Sequence, residues 1–232
     1  MTGRLAALTS AAALLVVSAS GAGAPLPPPA GGYDYREGVA EGADLTRLVD
    51  RPTLIDTQTY AYDDETGERR MSGWTDAHAV YDMPLSAFMA VAIDYQNYAS
   101  YVPRIFSASV TERSDGHAVV RFSVGISFLG AKVAYETVEE VSWELRADGT
   151  FLARTRLVDS LDGELFEHYT SLYLAPVTVG GATMTYVRYF NRPGVRKPFP
   201  GMVTISRMFT PGETKAQMTA LAKETARRLS PP

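Results

Sequence analysis

Cysteine is absent from the 232-residue chain. That excludes disulfide scaffolds, cysteine nucleophiles, Cys-ligated zinc and iron–sulfur clusters. It also leaves no lipobox, so no lipid anchor is expected. Only three histidines occur (His78, His117 and His168), and their spacing matches no metal site. Neither a metal nor another cofactor is expected. A Ser–His–Asp nucleophile elbow and a Gly-rich phosphate loop are both missing. Positive charge is not in excess: the formal net charge of −4 argues against a general nucleic-acid binder. Long apolar runs are scarce too. The best, Leu5 to Ala19, is fifteen residues broken by Thr9, Ser10 and Ser18. A membrane-spanning helix needs about 20.

What that run does resemble is an address. Arg4 precedes it, and the small residues Ser20-Gly21-Ala22-Gly23-Ala24 follow. Residues 1–22 therefore read as a secretory signal peptide cut after Ala22, with an uncleaved anchor as the alternative. Residues 23–32, rich in Pro and Gly, read as an exposed linker. Export without cysteine suits a bacterial periplasmic or secreted protein. The net charge also conceals an asymmetry. Residues Arg188 to Pro232 hold nine Lys/Arg and two Asp/Glu, whereas Tyr33 to Val187 hold twelve and twenty-four.

Residues 33–72 form a polar N-terminal extension in which Thr53 to Tyr60 reads as a strand and Asp63 to Gly67 as a turn. A strand from Gly73 to Met83 would complete a hairpin. Pro84 then suits the first position of a helix whose Leu85, Phe88, Met89 and Ala92 recur at helical spacing. A second short helix fits Asp94 to Tyr101. Thereafter the period becomes two. Ala118, Val120, Phe122, Val124, Ile126 and Phe128 occupy one phase; Val133, Tyr135, Thr137, Val141 and Trp143 repeat it on the next strand. Further strands follow over Phe151 to Val158, Glu164 to Ala175 and Ala182 to Phe190, separated by turns. At the end, Met202, Ile205, Met208 and Phe209 share a helical face. Thr210-Pro211-Gly212-Glu213 predicts a fresh helix start with a capping box. Met218, Leu221, Ala222, Thr225 and Leu229 form an apolar stripe that must cover the preceding sheet.

This order resembles the START-like superfamily of steroidogenic acute regulatory lipid-transfer domains, polyketide cyclases and coenzyme Q-binding proteins. The resemblance runs from Trp74 to Leu229. It is carried by the aromatic-rich Asp94 to Pro103 segment, by Thr170 to Pro176 before a Gly-Gly turn, and by Lys197-Pro198-Phe199-Pro200-Gly201 before the last helix. It implies an α+β helix-grip fold: a curved antiparallel sheet wrapped around a long C-terminal helix, with two short helices after the first strand. Residues 73–230 would be the ligand-binding domain. The family also implies an elongated apolar cavity for a sterol-sized or two-chain lipid.

The inward strand phases then nominate Phe122, Val124, Ile126, Tyr135, Trp143 and Leu157 as lining. Phe166, His168, Thr170 and Leu172 follow on the penultimate strand, and Met208 and Leu221 on the helix. His168 would meet a ligand hydroxyl or carboxylate; the plain alternative is a core histidine satisfied by backbone. A bulge would exchange that phase for Glu167, Tyr169 and Tyr173. Tyr95, Tyr98 and Tyr101 could rim the entrance. Arg192, Arg196, Lys197 and exposed Phe199 would flank it, suited to transient contact with an anionic membrane surface, or to water alone. The expected function is non-catalytic binding, and transfer, of a hydrophobic small molecule in the periplasm by a monomer. A polyketide cyclase-like enzyme using the same cavity is the first alternative, with His168 beside Glu167 or Tyr169. A partner-binding envelope protein using residues 33–72 is the second.

Overall fold

A computed structural model of the chain describes residues 32–128 and 131–230, with the side chains of 126–128 and 131–132 outside the description. The signal-peptide reading, almost all of the linker reading and the Ile126 side chain lie outside the described residues.

Eight antiparallel strands form one sheet: β1 (Thr53–Asp63), β2 (Arg69–Tyr81), β3 (Ile105–Ser114), β4 (His117–Phe128), β5 (Ala131–Leu145), β6 (Phe151–Ser160), β7 (Leu165–Val179) and β8 (Ala182–Arg196). Their spatial order is β1-β2-β8-β7-β6-β5-β4-β3, so β1 and β3 are the edges. Between β2 and β3 lie helix α1 (Leu85–Ala92), a 3-10 turn over Tyr95–Asn97 and the single-turn α2 (Tyr98–Tyr101). Helix α3 (Met202–Leu229) closes the chain and packs against α1, β1, β2 and β8. This is the helix-grip α+β arrangement.

Local chemistry accounts for the elements. Asp64 Oδ1 accepts from the backbone of Thr66 and Glu68, and Gly67 supplies a φ of 79°, which together turn β1 into β2. Alternation on β4 buries Ala118, Val120 and Phe122 against α1 and α2. Strand β2 runs through residue 73 without a break, so residues 53–72 belong to the sheet. Residues 33–50 lie as a strap across the outer face. There Tyr35 and Tyr33 pack on Tyr169, and Arg36 N donates to Ser171 Oγ at 3.1 Å. Arg188 donates to Glu37 O at 2.9 Å while pairing with Asp76 at 2.6 Å.

Two expectations change. Strand β8 continues past Phe190 to Arg196 despite Pro193. The β2–β8 pairing passes from Thr75–Asn191 to Ser72–Gly194, so Pro193 sits where no ladder bond to β2 is required. Helix α3 is continuous, with Pro211 inside it rather than starting a second helix. Both halves bury side chains on the same sheet, Met202 before the proline and Met218 and Leu221 after it. That shared burial outweighs the hydrogen bond that proline removes.

At Gly73 the β1 backbone leaves no room for a side chain. A Cβ built there would lie 2.2 Å from Gln58 O. Gly73→Ala is expected to destabilise the protein by about 2 kcal/mol or more. The measurement is chemical denaturation, and an unchanged midpoint would contradict the packing described.

Candidate functional site

Between the inner face of the sheet and α3 lies a cavity of about 300 Å³. Apolar walls come from Phe122 and Val124 on β4, Tyr135 on β5, Leu172 on β7, and Leu221 on α3. Met202, Ile205, Ser206 and Phe209 line it from the first turns of α3, where Phe209 is exposed and the cavity meets solvent. Arg104, held at φ 70°, reaches across this mouth to Glu213 with contacts of 2.8 and 2.6 Å. Burial pushes the phenols of Tyr95, Tyr98 and Tyr189 up and that of Tyr135 to about 12, so all four stay neutral.

The sheet floor is polar at one place. His168 Nδ1 faces Glu139 Oε1 at 2.8 Å, and His168 Nε2 faces Asn191 Oδ1 at 3.0 Å. Thr137 donates to the same Glu139 oxygen at 3.1 Å. Both ring nitrogens thus point at oxygens, the environment of an imidazolium. Burial pulls the His168 proton affinity down, but the Glu139 charge, its hydrogen bond and the Asn191 contact more than reverse this, and the net shift is upward. Thr155 and Thr170, registered opposite each other on β6 and β7, add two hydroxyls to the floor.

The sequence-nominated residues divide. Phe122, Val124, Tyr135, His168, Thr170, Leu172 and Leu221 line the cavity. Leu157 does not: it is registered opposite Glu139 on β6 and packs with Met71, Leu165 and Met202. Trp143 lies farther along β5, packed near Tyr95 under the Arg113 guanidinium. Phe166 is displaced by a register shift between Leu165 and Glu167, which brings Leu165 inward and leaves Phe166 under Arg70. Met208 is 65% exposed. It stands about 120° around the helix from Met202, outside the face that carries Ile205, Ser206 and Phe209.

At the expected entrance, Tyr98 lines the cavity as a buried residue donating to Ala92 O, and Tyr101 donates to Val91 O at 3.1 Å beside it. Arg192 faces the opposite side of the sheet, 3.2 Å from Glu167 and over Trp74, because Asn191 and Pro193 take the inward positions of β8. Arg196 and Lys197 both pair with Glu68, at 3.5 and 3.7 Å. Phe199 is exposed. Glu139 and Asn191 were not nominated. Glu139 had a visible signal, a carboxylate on the otherwise apolar phase of Tyr135, Thr137 and Val141; Asn191 had none, because the strand was expected to end at Phe190.

No family model and no curated protein matches the sequence significantly. Solved structures do resemble the fold. A STAR-related lipid transfer protein from Xanthomonas axonopodis matches at TM-score 0.54 and 14% identity, covering 75% of this chain and 98% of that one. The Zhui aromatase/cyclase from a Streptomyces species matches at 0.53 and 15%, covering 68% and 96%. Human StAR-related lipid transfer protein 5 matches at 0.55 and 11%, covering 77% and 88%. The fold is START-like.

The raised proton affinity of His168 makes a pH prediction. A proton held more tightly when folded stabilises the native state below the unfolded histidine value of 6.5, and that contribution is lost as pH rises through the higher native value. Melting temperature should therefore fall across that window in the wild type. In His168→Gln this fall should vanish, and a fall of equal size in the variant would assign the titration elsewhere.

Proposed function

We propose that this protein binds a hydrophobic small molecule in the cavity between sheet and α3, as a binding protein rather than an enzyme. The observation that carries this is an apolar-walled cavity with one small polar floor and a mouth at the first turns of α3. Burial of apolar surface, at about 25 cal/mol per Å², supplies the affinity, and the floor orients the molecule. Lipid-transfer proteins among the fold neighbours support the same reading. A cavity of about 300 Å³ stands at the small end of the range of small-molecule sites. That favours a single-chain or compact ring compound over the two-chain lipid expected from the resemblance.

One observation favours a second reading, an acid/base enzyme: the Glu139–His168 pair, together with an aromatase/cyclase among the neighbours. A general base needs a nitrogen free to take the substrate proton. Both His168 nitrogens already face oxygens of Glu139 and Asn191, which supports binding over catalysis. The strap residues 33–50 spend their aromatic side chains on the outer face of the same chain, which weighs against a partner-contact role.

Native mass spectrometry of the purified protein should show an adduct, released under denaturing conditions. Leu172→Trp, which fills the cavity, should lose it. An adduct retained in that variant, or a wild type that neither carries one nor takes up an apolar dye, would reject the cavity as the binding site.

Transfer in the periplasm is the finer reading. It rests on the signal-like N-terminus and on Phe199, Met208 and Phe209, exposed in and just before the first turns of α3, the stretch that also carries Lys197 and Arg207. Such a surface suits brief contact with an anionic bilayer. Co-sedimentation with anionic vesicles should exceed that with neutral ones and fall in Phe199→Ser/Met208→Ser; equal binding to both vesicle types, or to neither, would reject membrane contact.

A further inference from the structure

The hydrogen-bonding inventory of the cavity floor is incomplete in a specific way. Glu139 is only 2% exposed, yet both of its protein hydrogen bonds arrive at one oxygen, Oε1. Its second oxygen, Oε2, receives none among the described residues. The hydroxyls of Thr155 and Thr170 and the amide nitrogen of Asn191 are likewise left without a protein partner, and all of these residues line the cavity. Oε2 is not sealed off but opens to the cavity, and a carboxylate oxygen that a ligand closes off from water is costly to leave without a donor, whereas hydroxyl and amide groups can both be satisfied by one oxygen atom nearby.

On the reading that the cavity binds a hydrophobic molecule, we propose that it selects a neutral, single-chain or compact alcohol bound hydroxyl-first. The ligand hydroxyl donates to Glu139 Oε2, and its oxygen accepts from the donors beside it, Thr155, Thr170 or Asn191. An ether satisfies the donors but leaves Oε2 bare, and a hydrocarbon pairs with neither. Ionised fatty acids are disfavoured twice. Their carboxylate brings no proton for Oε2 and meets the Glu139 charge at close range, while both His168 nitrogens that could neutralise it are already engaged. Recognition by a polar group that must be paired discriminates more sharply than recognition by size, because the wrong ligand strands a buried acceptor.

The test is displacement of the neutral dye N-phenylnaphthylamine from the full chain at neutral pH by three ligands of similar length: n-decanol, its isomer methyl nonyl ether, and decanoic acid. Decanol should displace the dye at about tenfold lower concentration than the ether, the effect of one hydrogen bond to a charged group. Decanoic acid should be the weakest. Glu139→Gln removes the charge and offers an amide donor, so the alcohol-to-ether ratio should shrink to about twofold or less. An ether as effective as the alcohol in the wild type, an acid that outcompetes both, or an unchanged ratio in Glu139→Gln overturns the proposal while leaving cavity binding intact. If Glu139→Gln does not fold, the wild-type ratio decides alone. Dye that fails to bind, or binds equally in Leu172→Trp, overturns the cavity reading itself, and this proposal with it.

Discussion

One helix has to cover the inner face of a sheet several times its width. Eight strands about 4.8 Å apart make a sheet roughly 34 Å across, and a helix with its side chains is about 10 Å thick. The sheet must therefore curl around α3, and α1 and α2 must cover what α3 cannot. Toward its C-terminus α3 meets this demand by close packing, with Met218 and Ala222 buried near α1. From Met202 to Leu221 one face of the helix stands over the floor formed by β5 to β8 and leaves the cavity. The cavity is thus a consequence of the geometry of the grip, and its mouth falls where the helix begins.

The same geometry explains how charge is distributed. The basic C-terminal region is not an isolated positive surface. Arg188 pairs with Asp76, Arg192 with Glu167, Arg196 and Lys197 with Glu68, and Arg228 with Asp94 and Glu224. Strand β8 lies between β2 and β7, so the late basic segment is interleaved with the earlier acidic body. Arg207 closes the remaining edge by donating to Thr59 O on β1. Pairs with the earlier acidic residues engage Arg188, Arg192, Arg196, Lys197 and Arg228.

Inside, charge is handled differently. Glu139 and His168 are buried together, and a buried pair of this kind is retained at a desolvation cost that apolar residues would avoid. Thr137 and Asn191 offset part of that cost. What they leave open to the cavity is the second carboxylate oxygen, beside the hydroxyls of Thr155 and Thr170. The floor therefore has a polarity and a direction, which a cavity held by apolar burial alone would lack.

The alternation from Ala118 to Phe122 and the stripe through Met218 and Leu221 were legible in the sequence, because periods of two and 3.6 are local properties of a backbone. From them followed the sheet, the covering helix and the inward phase that holds His168, Thr170 and Leu172. The bulge that brings Leu165 in and turns Phe166 out was not legible, since register is a property of two strands and not of one. Nor was the outward turn of Arg192, which follows from β8 running on through Pro193. The partners of His168 lie 29 and 23 residues away on β5 and β8. Local pattern placed a histidine on the inner face; only the packing of three strands side by side decided that it would meet Glu139 and Asn191, because side chains so far apart in sequence are brought into contact by tertiary pairing alone.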